Sequence, residues 1–313
     1  MIERKNKQLV LSLIAMIVAI IALWFFAFRE SKIEVDETVL AINDLANVDR
    51  VEMESSRGKV VLHYDGNKWV VNDQYTADRR SIQVLFGTIE NIRPRRPVSE
   101  KKLEEVKQQL KSSGTTVKFF VKDNLVKSYV AGGNPQKPEA WIQVGDNDPL
   151  VVNIPGYRVY AVGVLEQTAN DWRDKRVFGL QWRHFKSLTT TFTKDPNDSF
   201  TISGKENYFS VEGMTPADTA KVNTYLDDVS LLVGEGFYMP GSRPKIDSLL
   251  AGPTSFDVIV KDAGNNSYKL EVFPPLRTES NVFGRVKGEF MVFPRSEMVR
   301  IAKKKSWFRG SPE

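Results

Sequence analysis

Apolar positions along this chain repeat one pattern twice, roughly 140 residues apart. In the first copy Trp69 closes a strand-like run and Thr76-Ala77-Asp78 follows, after which Ile82, Leu85, Phe86 and Ile89 recur at helical spacing. In the second copy these roles fall to Phe209, to Thr215-Pro216-Ala217-Asp218, and to Val222, Tyr225, Leu226 and Val229. Val117, Phe119 and Val121 alternate into Lys122-Asp123, and Phe256, Val258 and Val260 alternate into Lys261-Asp262. Asn170-Asp171-Trp172-Arg173-Asp174 closes one half and Lys305-Ser306-Trp307-Phe308-Arg309 closes the other. The pattern predicts two tandem α+β repeats, 48–180 and 181–313, each an antiparallel sheet with helices on one face.

Within each repeat the elements follow from period and punctuation. Strands are expected around Val51 and Met53, Val60 to Tyr64, and Trp69 to Val71, with Asp65-Gly66-Asn67 as a turn. Thr76 is read as the cap of the helix that carries Ile82 to Ile89, and Thr215 as the cap of its counterpart, with Pro216 at the first helical position. The Pro-Arg stretch 93–97 reads as a link, Glu100 to Leu110 as a shorter helix, and Val159 to Leu165 as another. Gly234 and Gly236 mark a loop, later strands fall near 255–261, 267–273, 281–286 and 289–293, and Pro294 opens a terminal helix.

Ahead of the repeats, Leu9 to Phe28 is apolar apart from Ser12, about 20 residues and enough to cross a hydrocarbon core. The run ends in bulky Leu23-Trp24-Phe25-Phe26, where a signal peptidase needs small side chains, so an uncleaved anchor is expected over a signal peptide. Arg4, Lys5 and Lys7 favour a cytoplasmic N-terminus. The organisation expected is a leader at 1–8, a transmembrane anchor at 9–28, a stalk at 29–47 and then the repeats. That places a single-pass protein in a bacterial inner membrane with periplasmic domains, its contact with lipid made by residues 9–28.

Composition narrows the chemistry. Hydrophobic residues make up 41% and charged residues 27%, the balance of a globular chain. With no cysteine, disulfides, thiolate metal sites and lipid-carrying cysteines are excluded. The net charge of +5 and the clusters Arg93-Pro94-Arg95-Arg96 and Lys303-Lys304-Lys305 raise nucleic acid, but neither cluster sits in a recognisable nucleic-acid module, and no such partner is expected. Solvated surface, anionic lipid or an acidic partner remain readings of these lysines and arginines. Two histidines, His63 and His184, are too few for a histidine-rich zinc site. No GxSxG, P-loop or dinucleotide fingerprint occurs, and adjacent Asp227 and Asp228 point apart on a helix. Asp146-Asn147-Asp148 reads as a solvated turn rather than a calcium loop. No catalytic residue, cofactor or metal is assigned.

The order of strands, Lys68-Trp69-Val70-Val71, Ala77-Asp78 and the Ile82-Leu85-Phe86-Ile89 helix, present twice behind an apolar N-terminus, resembles a bacterial family of unknown function. Its members are encoded beside gliding-motility-associated ABC transporter subunits, a permease and a GldG-like auxiliary component. The resemblance implies those partners and supplies no functional residues. The second copy departs from it with Tyr208-Phe209 in place of Lys68-Trp69. The expectation is therefore a noncatalytic, membrane-anchored extracytoplasmic accessory subunit of an ABC transporter complex, linked to gliding motility or surface-polymer export. Phe237, Tyr238 and Met239 in a Gly-flanked loop, with Trp182 and His184 at the junction of the repeats, are the candidate partner-binding residues. The alternative is an envelope glycan- or peptide-binding module that uses a cleft between the repeats.

Overall fold

A computed structural model describes residues 13–21, 36–134, 136, 139–179, 184–205 and 208–310. Residues 13–21 form helix α1. The expected anchor is corrected here. Among the described residues no helix is long and apolar enough to cross a membrane. At 1.5 Å per residue α1 rises about 14 Å, roughly half of a hydrocarbon core. The rest of the 9–28 segment and the 1–8 leader lie outside the described residues, as do residues 29–35 of the stalk. The single-pass placement with periplasmic domains rested on that anchor and falls with it.

The remaining architecture is α+β, with two antiparallel sheets of nine and eight strands among the described residues. The chain divides into two compact units, one formed by 1–56 with 85–166 and the other by 57–84 with 167–313. The first repeat of the sequence contributes β1 (Arg50–Ser55), β2 (Gly58–Tyr64), β3 (Trp69–Val71), β4 (Tyr75–Thr76) and α2 (Arg79–Asn91). It continues with β5 (Arg93–Pro97), α3 (Glu100–Ser113), β6 (Thr115–Val121), β7 (Asn124–Asn134), β8 (Glu139–Gln143), β9 (Leu150–Asn153) and α4 (Ala169–Trp172). The second contributes β10 (Phe185–Phe192), β11 (Phe200–Lys205), β12 (Tyr208–Val211), α5 (Thr219–Ser230), β13 (Gly236–Tyr238) and α6 (Pro244–Leu250). It ends with β14 (Phe256–Asp262), β15 (Ser267–Val272), β16 (Asn281–Val286), β17 (Glu289–Pro294) and α7 (Arg295–Ile301).

Strand order repeats as the apolar pattern does. The eight-stranded sheet runs β12-β11-β10-β14-β15-β16-β17-β13. In the first repeat the same order appears as β3-β2 among residues 57–84, where β4 is an added edge strand, and as β1-β6-β7-β8-β9-β5 among the others. Strand β5 stands where β13 does, at the end of its run. Its two prolines explain why the 93–97 stretch reads as a link, since Pro94 and Pro97 cannot donate to a ladder and are tolerated only on an edge.

Helix starts differ from expectation for one shared reason. Ala77 forms a bridge with Arg173, and Ala217 forms one with Arg309, so the chain remains extended past Thr76 and past Pro216. The aspartate that follows is the cap in both copies. Asp78 accepts from Ser81 N at 2.8 Å, and Asp218 accepts from Lys221 N at 3.1 Å. Ile82, Leu85 and Ile89 of α2 are buried, as are Val222, Tyr225, Leu226 and Val229 of α5. Helix α3 runs to 14 residues, one more than α2, rather than being the shorter of the two. Val159 to Leu165 gives only a 3-10 turn at Gly163–Glu166.

The second unit's core is built from β10, β11, β14 and β15, with Leu188, Ile202, Val258, Val260 and Leu270 essentially unexposed under α5 and α7. Tyr225 crosses it. Its hydroxyl hydrogen-bonds the Thr190 hydroxyl at 2.9 Å and donates to Ile301 O at 3.1 Å. Elsewhere in this sheet Glu271 lies between Lys269 Nζ at 3.0 Å and Arg285 Nε at 2.5 Å.

The Arg285 hydrogen bond, aided by Lys269, lowers the Glu271 carboxyl from 4.5 to about 2. A depressed folded-state value means the stabilisation is present above about pH 4.5 and is lost as the pH falls towards 2. Glu271→Gln is expected to cost about 1 kcal/mol at neutral pH, allowing for solvent screening. Denaturant titrations of the two proteins should converge across that acid window. A gap that stays constant down to pH 3 contradicts the assignment.

Candidate functional site

The second unit holds a cleft of about 630 Å³ at the end of β13, within the range of small-molecule and peptide pockets. Strand β13 pairs with β17 through Phe237 opposite Met291 and Tyr238 opposite Phe290. The chain then turns through Met239-Pro240-Gly241-Ser242 into α6. Gly241 takes φ of 102°, a conformation open to glycine and strained for other residues.

One carboxylate holds this turn. Asp247 in the first turn of α6 accepts from the Tyr238 hydroxyl at 2.8 Å and from Gly241 N at 3.1 Å. The Tyr238 ring meets Phe283 edge-on, with centroids 5.3 Å apart. Desolvation, and then the Asp247 carboxylate, hold the Tyr238 phenol above its ordinary range, so it remains a neutral donor. Arg243 pairs with Glu279, and Asn281 donates to Glu235 at 3.0 Å. Charge in the lining is thus balanced, and the free character of the cleft is aromatic and amide. Met239 stands at its rim, 71% exposed.

Comparison of the two copies shows why a cleft forms here. In the first unit Val98, Trp141 and Val151 pack under Val106 and Leu110 of α3. In the second, Tyr238, Phe283 and Val292 pack with Ile246 and Leu250 of α6. Trp141 faces Val151 across its ladder as Phe283 faces Val292. The covering helix falls from 14 residues to 7, and a turn replaces the missing length. Half of the roof is gone while the aromatic floor stays.

Behind β13 lies a buried arginine that sequence reading did not single out. Arg173, 6% exposed, places its guanidinium 3.5 Å from the Tyr75 ring centroid and 3.6 Å from that of Phe237. It donates to Glu289 Oε2 at 2.5 Å and to Asn170 Oδ1 at 3.3 Å. Two rings and a carboxylate make a full socket for a planar cation. The socket fixes Phe237, and Asn170 carries its effect to the cleft wall.

Of the residues singled out from sequence, Phe237, Tyr238 and Met239 therefore lie together in the cleft, the first two half-buried on a strand rather than in a loop. His184 is exposed just before β10, where its carbonyl accepts from Ala263 N at 2.7 Å, and it does not line the cleft. Trp182 lies outside the described residues. Asn170, Ser242, Arg243, Glu279 and Asn281 were missed because they come from separate elements. Elsewhere the acidic residues have structural partners. Asp228 pairs with Arg300, Asp171 completes a capping box with Thr168, and His63 Nδ1 lies 3.0 Å from Asp73. Among the described residues no group of three or more His, Asp and Glu side chains could hold a metal ion.

A family model described as a domain of unknown function, DUF4340, matches residues 69–248, from β3 of the first repeat through α6 of the second. Comparisons with curated proteins and with solved structures return no match.

Proposed function

The chain belongs to the DUF4340 family of domains of unknown function, and from that premise we propose that it is a noncatalytic binding subunit that holds a partner protein in the β13–α6 cleft. The observation that carries this reading is the cleft itself, with an aromatic floor, a prepaid turn geometry and a 71% exposed methionine at its rim. The two charged residues of its lining, Arg243 and Glu279, pair with each other, which suits an uncharged peptide segment with an apolar anchor better than a charged metabolite. The partner implied by the resemblance of the sequence is an ABC transporter, through its permease or a GldG-like auxiliary component, and the chain would be an accessory subunit of that complex.

A photo-crosslinking amino acid at position 239 of the full chain tests this in cells, with position 208, where Tyr208 is 60% exposed, as control. A transporter subunit joined at 239 and not at 208 is the expected result. Equal labelling at both positions, or transfer to an oligosaccharide instead of a protein, overturns the reading.

A further inference from the structure

The two copies end alike, and only one of the two ends is filled. Asp78 N donates to Trp172 O at 2.7 Å, and Asp218 N donates to Phe308 O at 2.9 Å. With the bridges Ala77 to Arg173 and Ala217 to Arg309, this makes Arg309 the counterpart of Arg173. Arg173 is enclosed by two rings and Glu289. Arg309 is exposed, and among the described residues its guanidinium has no ring or carboxylate partner. It lines a separate cavity of about 580 Å³ together with Met214, Thr215, Pro216 and Lys305. Counting back from Ala77 and Ala217, Thr215 and Pro216 stand where Tyr75 and Thr76 stand in the first copy, so no ring takes the place of Tyr75. The one carboxylate in the lining, Asp198, is taken by Lys304 at 2.6 Å. Lys305, half-buried, adds a second cation that has no ion pair among the described residues.

We infer that the cavity at Arg309 is a docking socket for a partner protein segment that presents an aromatic ring and a carboxylate, the two groups that β13 and the first residue of β17 supply to Arg173. Charge complementarity selects this occupant over a second copy of the chain. The strand that stands for β13 in the first repeat is Arg93-Pro94-Arg95-Arg96-Pro97, which would bring arginines against Arg309 and Lys305. The inference stands apart from the β13–α6 cleft, since the two cavities share no lining residue.

Isothermal titration of the full chain with a short peptide of alternating phenylalanine and glutamate tests it. Controls replace the phenylalanines by alanine or the glutamates by glutamine, and inorganic phosphate is titrated alongside. The first peptide should bind saturably, with both control peptides and Arg309→Ala at least about tenfold weaker. Arg309→Lys, which keeps the charge and loses the flat stacking surface, should fall between. Met239→Asp should leave this binding unchanged. Phosphate binding as tight as the peptide makes the cavity a plain anion site and overturns the inference. So does self-association abolished by Arg309→Ala, or equal binding of all three peptides, or no binding of any.

Discussion

Arg173→Ala is expected to cost about 3 kcal/mol, from loss of two desolvated stacking contacts and a charged hydrogen bond. The cost stays below that of a deeply buried pair because the Glu289 side chain, 43% exposed, can be rehydrated once its partner is gone. Arg173→Lys should recover only the charge term, since an ammonium cannot lie flat between Tyr75 and Phe237. Loosening Phe237 also loosens β13, so any ligand of the cleft should dissociate faster from either variant. Arg309→Ala, at the exposed counterpart, should stay within about 0.5 kcal/mol of the parent protein. Urea unfolding of the three variants decides the matter. Equal small losses at positions 173 and 309 would mean that the filled socket has no energetic weight, and the contrast between the two ends would then carry no partner chemistry.

Phe308→Ala should be more damaging still, by about 4 kcal/mol. Phe308 is 0% exposed and packs on Phe200, Tyr225 and Trp307 with centroids 4.7, 5.3 and 5.1 Å away. Truncation removes the hub of this aromatic cluster and leaves a cavity beside the Tyr225 hydroxyl network, which burial keeps neutral. Phe308→Leu keeps most of the volume and should cost roughly 1 kcal/mol. Trp307→Ala is the informative neighbour. Trp307 is only partly buried, with Lys303 Nζ 5.3 Å and Lys221 Nζ 6.0 Å from its ring, so its loss should be less than half that of Phe308. Reversal of that order in thermal or urea unfolding would contradict the packing described.

That pair also marks where sequence reading reaches its limit. The closing segments of the two halves suggest that Trp307 answers Trp172, yet the hydrogen bond from Asp218 pairs Phe308 with Trp172, one residue later. Alternation at Val117 to Val121 and Phe256 to Val260 was legible because each strand buries one face, which period 2 reports directly. Strands β5 and β13 were not, since an edge strand tolerates the prolines and glycines that punctuate loops. Sequence puts the caps at Thr76 and Thr215, ahead of Asp78 and Asp218, because a single isolated bridge before a helix has no periodicity to show. In the cleft, Phe237 to Met239 stood out as aromatics in a Gly-flanked stretch. Arg173 did not, because its carboxylate lies 116 residues away and each of its rings belongs to another strand. The anchor reading of 9–28 draws on hydropathy, on the bulky residues that end the run and on the basic residues ahead of it, and the described helix there is too short to bear that reading.

The central claim is that the β13–α6 cleft binds a protein partner, and quantitative purification tests it most directly. The full chain, tagged at its C-terminus, would be isolated as the parent protein and as Met239→Asp, and co-purifying proteins measured by mass spectrometry. Met239 is exposed and its replacement should leave the fold unchanged, while a carboxylate at the rim of an apolar contact should weaken binding about tenfold or more. The account predicts transporter subunits at a fixed ratio to the parent chain and their depletion with Met239→Asp. Recovery of the chain alone in both cases, or of the same partners at the same ratio in both, would contradict it.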